Sequence, residues 1–190
     1  QWGAFKTVEC YQAMGYAIPY EEIQRTAFFG FGRIAHEIAA PMFGETVNSQ
    51  DWPYKFDLDK AQELWQAGNC PASFTLAWDQ AYPEQEDVAI LIKSSFKKIG
   101  VDVTLDKQPT AAFAQKRGDF TLEAFIEESA AFVADAGYAS WLNWHKDSFA
   151  NHQQFIDEEI SAKIDAAMAI PGGPDRVGHA QRQASARVLS

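Results

Sequence analysis

The amino-acid sequence predicts an α/β fold, a small mixed or parallel sheet flanked by helices. Three observations point there. Ser73–Trp78 and Val101–Leu105 each alternate apolar and polar residues, the period of a half-buried strand. Between them lies one long amphipathic segment that starts on acids and ends on lysines and a glycine. Strand, helix and strand joined by short links form a unit whose two strands run parallel with a right-handed crossover.

The elements follow in chain order. Phe5–Ala17 reads as a helix, with Val8, Tyr11, Met14 and Ala17 three apart. Pro19 suits the first turn of a second helix, which would run through Ile23 and Ala27 and stop at Gly30. Phe31–Pro53 has no period and carries Gly32, Pro41, Gly44 and Asn48, so it reads as a long loop. Asp57 is placed to cap a helix over Leu58–Ala67, and Gly68 to end it.

Phe74, Leu76 and Trp78 share one face of the first strand. Pro83 precedes Glu84, Glu86 and Asp87, acids placed where the helix dipole favours them. Val88, Leu91, Ile92, Phe96 and Ile99 make the apolar stripe of that helix, and Gly100 ends it. Pro109–Arg117 is a short helix. Phe120, Leu122, Ala124 and Ile126 alternate as a third strand. Asp157 caps a helix holding Ile160, Ile164 and Met168. The link Ile170–Pro174 breaks it before a last helix over Pro174–Ser190.

Composition narrows the function. The 190 residues are 47% hydrophobic and 22% charged, the balance of a folded globular chain. Six Trp and 14 Phe can build a core and still line a cleft. A net charge of −10 repels phosphate backbones, so no nucleic-acid partner is expected. No apolar run reaches the ~20 residues of a membrane span. The chain opens on Gln1 and closes on Ser190 inside an expected helix, and no signal peptide is read, so a fragment is expected. No internal composition shift marks a boundary, which makes residues 1–190 a single domain by this reading. Cys10 and Cys70 form no metal-type pair. They either bridge, which would stabilise by roughly 3–4 kcal/mol, or stay as separate buried thiols.

Three stretches together resemble one family. Ala13-Met14-Gly15-Tyr16-Ala17-Ile18-Pro19-Tyr20-Glu21-Glu22-Ile23, preceded by Gln12, resembles its "QA-x-x-YAI-x-x-x-x-I" signature. Tyr54-Lys55-Phe56-Asp57-Leu58-Asp59-Lys60-Ala61, then Leu64 and Ala67-Gly68, resembles "Y-x-x-D-x-x-KA-x-x-LL-x-x-AG". Phe96-Lys97-Lys98-Ile99-Gly100-Val101-Asp102-Val103 resembles "LKKIGI-x-V". Each stretch is built mostly of helix caps and core stripes, and their order and spacing carry the specificity. The family is the family 5 extracellular solute-binding proteins, which bind dipeptides, oligopeptides or nickel for ABC importers. Cys10-Tyr11 stand where that family has Val-Arg, and Trp65 replaces the second Leu of its pair.

The resemblance covers roughly Phe5 to Ser190 and implies the C-terminal lobe of a class II periplasmic-binding-protein-like fold, the N-terminal lobe lying outside this chain. It implies a substrate-binding component that closes two lobes over a peptide, amine or opine-like solute and delivers it to ABC permease subunits. A monomer without cofactor or bound metal, in the periplasm or on a membrane-anchored extracellular lipoprotein, is the expectation. The alternative is a non-transport interaction domain or sensor input on the same fold.

The candidate anchor is Asp135, in Phe132-Val133-Ala134-Asp135-Ala136-Gly137-Tyr138-Ala139-Ser140-Trp141. Peptide-binding relatives have a similar stretch whose aspartate pairs with the peptide amino group, a charge-assisted bond. Phe132 stands where they have Trp, and their Pro is missing. The competing role for Asp135 is to cap the helix after it. Tyr138, Trp141 and Trp144 are candidates for the cleft wall, with one of the two tryptophans expected in the core. Arg33 and His36 are loop candidates for the cleft.

Enzyme chemistry finds little support. His36, His145, His152 and His179 form no HExxH, and the polar run around Asn151 argues against a helix that would align His145 with His152. A metal-dependent hydrolase would need an ion at these histidines. No GxSxG, phosphate loop or GxGxxG occurs. Glu127 and Glu128 are adjacent strand residues and point to opposite faces.

Overall fold

The computed structural model describes residues 5–34, 54–128, 135–152 and 156–170. The chain forms two compact units, one of residues 1–34 with 54–128, the other of 35–53 with 129–190.

The first unit is the α/β body. Helices α1 (Val8–Ala17), α2 (Tyr20–Thr26) and α3 (Leu58–Ala67) precede β1 (Ser73–Asp79). Then come α4 (Glu84–Lys98), β2 (Asp102–Gln108), α5 (Thr110–Gly118) and β3 (Ala124–Phe125). The sheet order is β2-β1-β3 and both pairings are parallel. Ser73 pairs with Asp102 and Asp79 with Gln108, so β1 and β2 match over their whole length.

Helix ends fall where the sequence punctuates them. The Asp57 side chain accepts from the Lys60 N–H at 2.9 Å, and Gly68 closes α3. Gly100 follows α4 at φ +83°, a backbone state that glycine adopts without penalty. Lys97 and Lys98 sit at the carbonyl end of α4 and acids at its amide end, both matching the dipole.

The core lies on the face of β1 that carries Phe74, Leu76 and Trp78, as the alternation predicts. Phe96 of α4 meets Phe74 at 5.1 Å and Trp65 of α3 at 5.3 Å, both edge-on. Ser95 is buried because its hydroxyl donates to the Ala17 carbonyl at 2.6 Å, satisfying an acceptor left open at the end of α1. Within the α4 stripe, Val88, Phe96 and Ile99 are buried, while Leu91 and Ile92 are half-buried.

Three details differ from the sequence reading. The buried face of α1 is Cys10, Ala13 and Ala17, whereas Val8 is 59% exposed and Tyr11 is also exposed. Small residues on that face let α1 lie close to α3, and Cys10 is joined to Cys70 by a disulfide, closing the question the spacing left open. The third strand is only two residues long. Phe120 sits in the left-handed region at φ +55°, half exposed, because Phe120 and Thr121 N–H groups close the end of α5 on the Arg117 and Lys116 carbonyls. The N–H of Ile126 then donates to Ala77, extending β3 by one bond. Pro19 stands at the cap of α2 rather than in its first turn.

The second unit contains α6 (Ala136–Trp144) and α7 (Glu158–Met168), packed on each other. Asp157 caps α7 by accepting from the Ile160 N–H at 2.9 Å, and Ile160 and Ile164 are buried as predicted. The expected helix Pro174–Ser190, residues 35–53 of the expected loop, and His36 lie outside the described residues.

Candidate functional site

Open α/β sheets take ligands at the carboxyl ends of their strands. In the first unit that edge holds Asp79, Gln108 and Thr110. Asp79 is buried, and its Oδ1 accepts from the Ala81 N–H at 2.9 Å and the Thr110 hydroxyl at 2.7 Å. The Gln80 N–H donates to the Gln108 carbonyl at 2.9 Å. These groups knit the edge together, which is a structural use. Glu127, on the loop after β3, pairs with Arg117 and so serves as an ion-pair partner. Burial raises its pKa and Arg117 lowers it. Arg33 follows α2 and is exposed.

In the second unit, Asp135, Tyr138 and Trp141 lie together on one element. Asp135 is the N-cap of α6: its backbone is extended, at φ −136° and ψ 122°, and its Oδ1 accepts from the Tyr138 N–H at 2.8 Å. The capping role weighed in the sequence is therefore present. Capping also fixes the direction of the carboxylate, which a ligand anchor requires. Tyr138, Trp141 and Trp144 are all half-buried, so neither tryptophan is wholly in the core. The buried positions described in α6 and its cap are instead Gly137, Ala139, Ser140, Leu142 and His145.

His145, weighed in the sequence only as a possible metal ligand, has a contact with Trp141 that the sequence reading missed. Its ring stacks on Trp141, with centroids 5.6 Å apart and planes 19° from parallel. The signal was present: Trp141 and His145 are four apart, and such pairs meet on a helix face. Phe149, mostly exposed, touches Trp141 from another direction at 6.5 Å. α6 ends at Trp144, so His145 and His152 share no helix, in line with the sequence reading. Among the described residues no group of three or more His, Cys, Asp or Glu side chains is arranged to hold a metal ion.

Solved structures with this fold include proteins in complex with peptides and with a nickel complex. DppA from Helicobacter pylori, in complex with the peptide STSA, superposes with a TM-score of 0.83 at 20% identity, over 98% of this chain and 38% of that one. The oligopeptide-binding protein AppA from Bacillus subtilis, in complex with a nonapeptide, gives 0.78 at 17% identity, over 96% and 40%. NikZ from Campylobacter jejuni, in complex with Ni(L-His), gives 0.79 at 18% identity, over 96% and 40%. This chain thus spans about two fifths of the length of each. No curated protein matches the sequence closely. The sequence model of the bacterial extracellular solute-binding proteins, family 5 (middle), matches residues 1–151. The chain belongs to that family, as its three motifs suggested.

Proposed function

We propose that this chain is part of the solute-receiving subunit of a bacterial ABC importer. It forms the C-terminal lobe, and a second lobe outside this chain supplies the other wall of the cleft. The solute is a peptide or a peptide-like amine, and the closed protein hands it to permease subunits in the membrane. The receptor works in the periplasm, or outside the cell on a lipid anchor, as a monomer. It turns nothing over.

Family membership over residues 1–151 carries this reading. The geometry of α6 supports the peptide class. Asp135 presents a carboxylate of fixed direction, and half-buried Tyr138 and Trp141 follow on the same helix. A carboxylate followed by two rings on one helix suits an ammonium group next to apolar side chains. The relatives solved with STSA and with a nonapeptide bind that class of ligand. Arg33 remains a candidate contact for the solute carboxylate.

Native mass spectrometry of the full-length protein, purified without unfolding and offered a peptide mixture, tests the proposal. An added mass in the peptide range that leaves on denaturation is the expected result. A protein that stays at its own mass in the presence of the mixture refutes the peptide assignment.

A further inference from the structure

We infer that His145 is a positioning residue for the solute site, setting the angle at which Trp141 presents its indole to the apolar part of the ligand. This rests on the function proposed above and goes beyond it, since His145 itself contacts no solute in that reading.

His145 is held more firmly than a surface histidine. It is 4% exposed. Its backbone N–H donates to the Trp141 carbonyl at 3.1 Å and ends α6. Its carbonyl accepts from the Ser148 N–H at 3.0 Å and from Asn151 Nδ2 at 3.4 Å. Both ring nitrogens also have neighbours. Nδ1 accepts from the Asp147 N–H at 3.1 Å, which places the ring proton on Nε2. Nε2 faces Asp165 Oδ1 on α7 at 3.4 Å, an electrostatic separation longer than a good hydrogen bond.

Those contacts fix the imidazole plane, and the indole of Trp141 lies 19° from it. A half-buried tryptophan on a helix can take more than one rotamer. Stacking on a ring held by a hydrogen bond at Nδ1 and facing a carboxylate at Nε2 selects one of them. The neighbouring Lys146 repeats the tie: its N–H donates to Ser161 Oγ at 3.2 Å and its ammonium pairs with Glu158 at 2.6 Å. The segment after α6 is therefore tied to α7 at Lys146, next to the His145 ring that faces Asp165. Preorganised rings lose less freedom on binding, and a fixed angle discriminates between side chains.

The test uses the full-length protein, with Ala-Ala-Ala and Ala-Phe-Ala as probes and calorimetry as the readout. His145→Gln keeps an acceptor and a donor but loses the ring face. His145→Phe keeps the face and loses both polar contacts. Asp165→Asn, at an exposed carboxylate, loosens the anchor with little risk to folding. Each variant is expected to weaken Ala-Phe-Ala relative to Ala-Ala-Ala, by about two- to ten-fold for the His145 changes, the size of an aromatic pair contribution. In a Trp141→Ala background the same changes should shift that ratio no further. Equal weakening of both peptides, or an undiminished shift without Trp141, overturns the positioning role. A wild-type protein that binds neither peptide refutes the proposed function itself and removes the basis of this inference with it.

Discussion

Asp135 carries two roles that one pair of substitutions separates. Its carboxylate caps α6 through a 2.8 Å bond from the Tyr138 N–H, and in the proposed function it also meets the solute ammonium. Asn retains a side-chain oxygen for the cap and removes the charge, whereas Ala removes both. Losing a cap costs about 1 kcal/mol, a factor of about five in local opening. Losing a hydrogen bond to a charged group costs about 1.5–3 kcal/mol, which is roughly 10- to 150-fold in affinity. Asp135→Ala should therefore raise hydrogen exchange across residues 136–144 by about five-fold and weaken peptide binding by at least ten-fold. Asp135→Asn should leave exchange near the wild-type rate and still weaken binding by at least ten-fold. Hydrogen exchange with mass detection reads the first quantity, and calorimetry with an unblocked tripeptide the second. If Asp135→Asn binds the tripeptide within two-fold of wild type, Asp135 is a cap and nothing more. If Asp135→Ala leaves exchange unchanged, the capping bond does not hold the helix.

Three further outcomes are expected. Replacing Cys10 and Cys70 by Ser opens a bridge across a sequence separation of 60 and should cost about 4 kcal/mol by loop-closure entropy, read as a lower denaturant midpoint; an unchanged midpoint would show that the bridge adds nothing. Gly68→Ala places a methyl 2.7 Å from Thr7 Oγ1, 2.9 Å from Glu9 Cβ and 3.0 Å from Cys70 Sγ. It should destabilise by about 1–3 kcal/mol, although Gly68 has ordinary φ of −76°; thermal unfolding checks this, and a rise in midpoint refutes it. The Tyr20 pKa is pushed up to about 12, first by burial and then by Tyr54, and its hydroxyl donates to the Gly15 carbonyl at 2.8 Å. The unfolded chain loses this proton near pH 10, so the stability it contributes is complete below pH 10 and is lost as the pH rises from 10 to about 12. Comparing pH-dependent unfolding of wild type with Tyr20→Phe should show a shallower alkaline loss in the variant, and identical profiles would refute it.

The elements that the sequence predicted best are those whose ends carry their own hydrogen-bonding groups. Asp57 with Gly68, and Asp157, mark boundaries in this way, while α4 is marked by acids at its dipole's positive end and by Gly100, and the structure keeps those boundaries. Parallel pairing of β1 and β2 was equally legible, because a helix between two strands admits little else. Where tertiary contacts decide, sequence periodicity misled. In α1 Val8 and Tyr11 face outwards, because the disulfide and close packing on α3 select the small residues Cys10, Ala13 and Ala17 for the buried face. In β3 the alternation from Phe120 to Ile126 is real, yet the closing turn of α5 uses up its first half. Asp135 and Trp141 were visible as candidates through their neighbours in the motif. His145 was weighed only as a metal ligand: its spacing to Trp141 was visible, but its contact with Asp165 on α7 forms only on folding.

The bridge between Cys10 and Cys70 also has a topological meaning. It closes the backbone from residue 10 to residue 70 into a covalent ring, and that ring contains all of residues 35–53, which belong to the other unit. The first unit is thus assembled from two separate stretches of chain that are stitched together outside the segment connecting them. Lengthening or shortening that segment changes the ring's circumference but not the seam, so size variation there should be tolerated well. A protease that cuts once between residues 35 and 53 would leave the two stretches of the first unit as one molecule, and only a reducing agent would let them migrate apart.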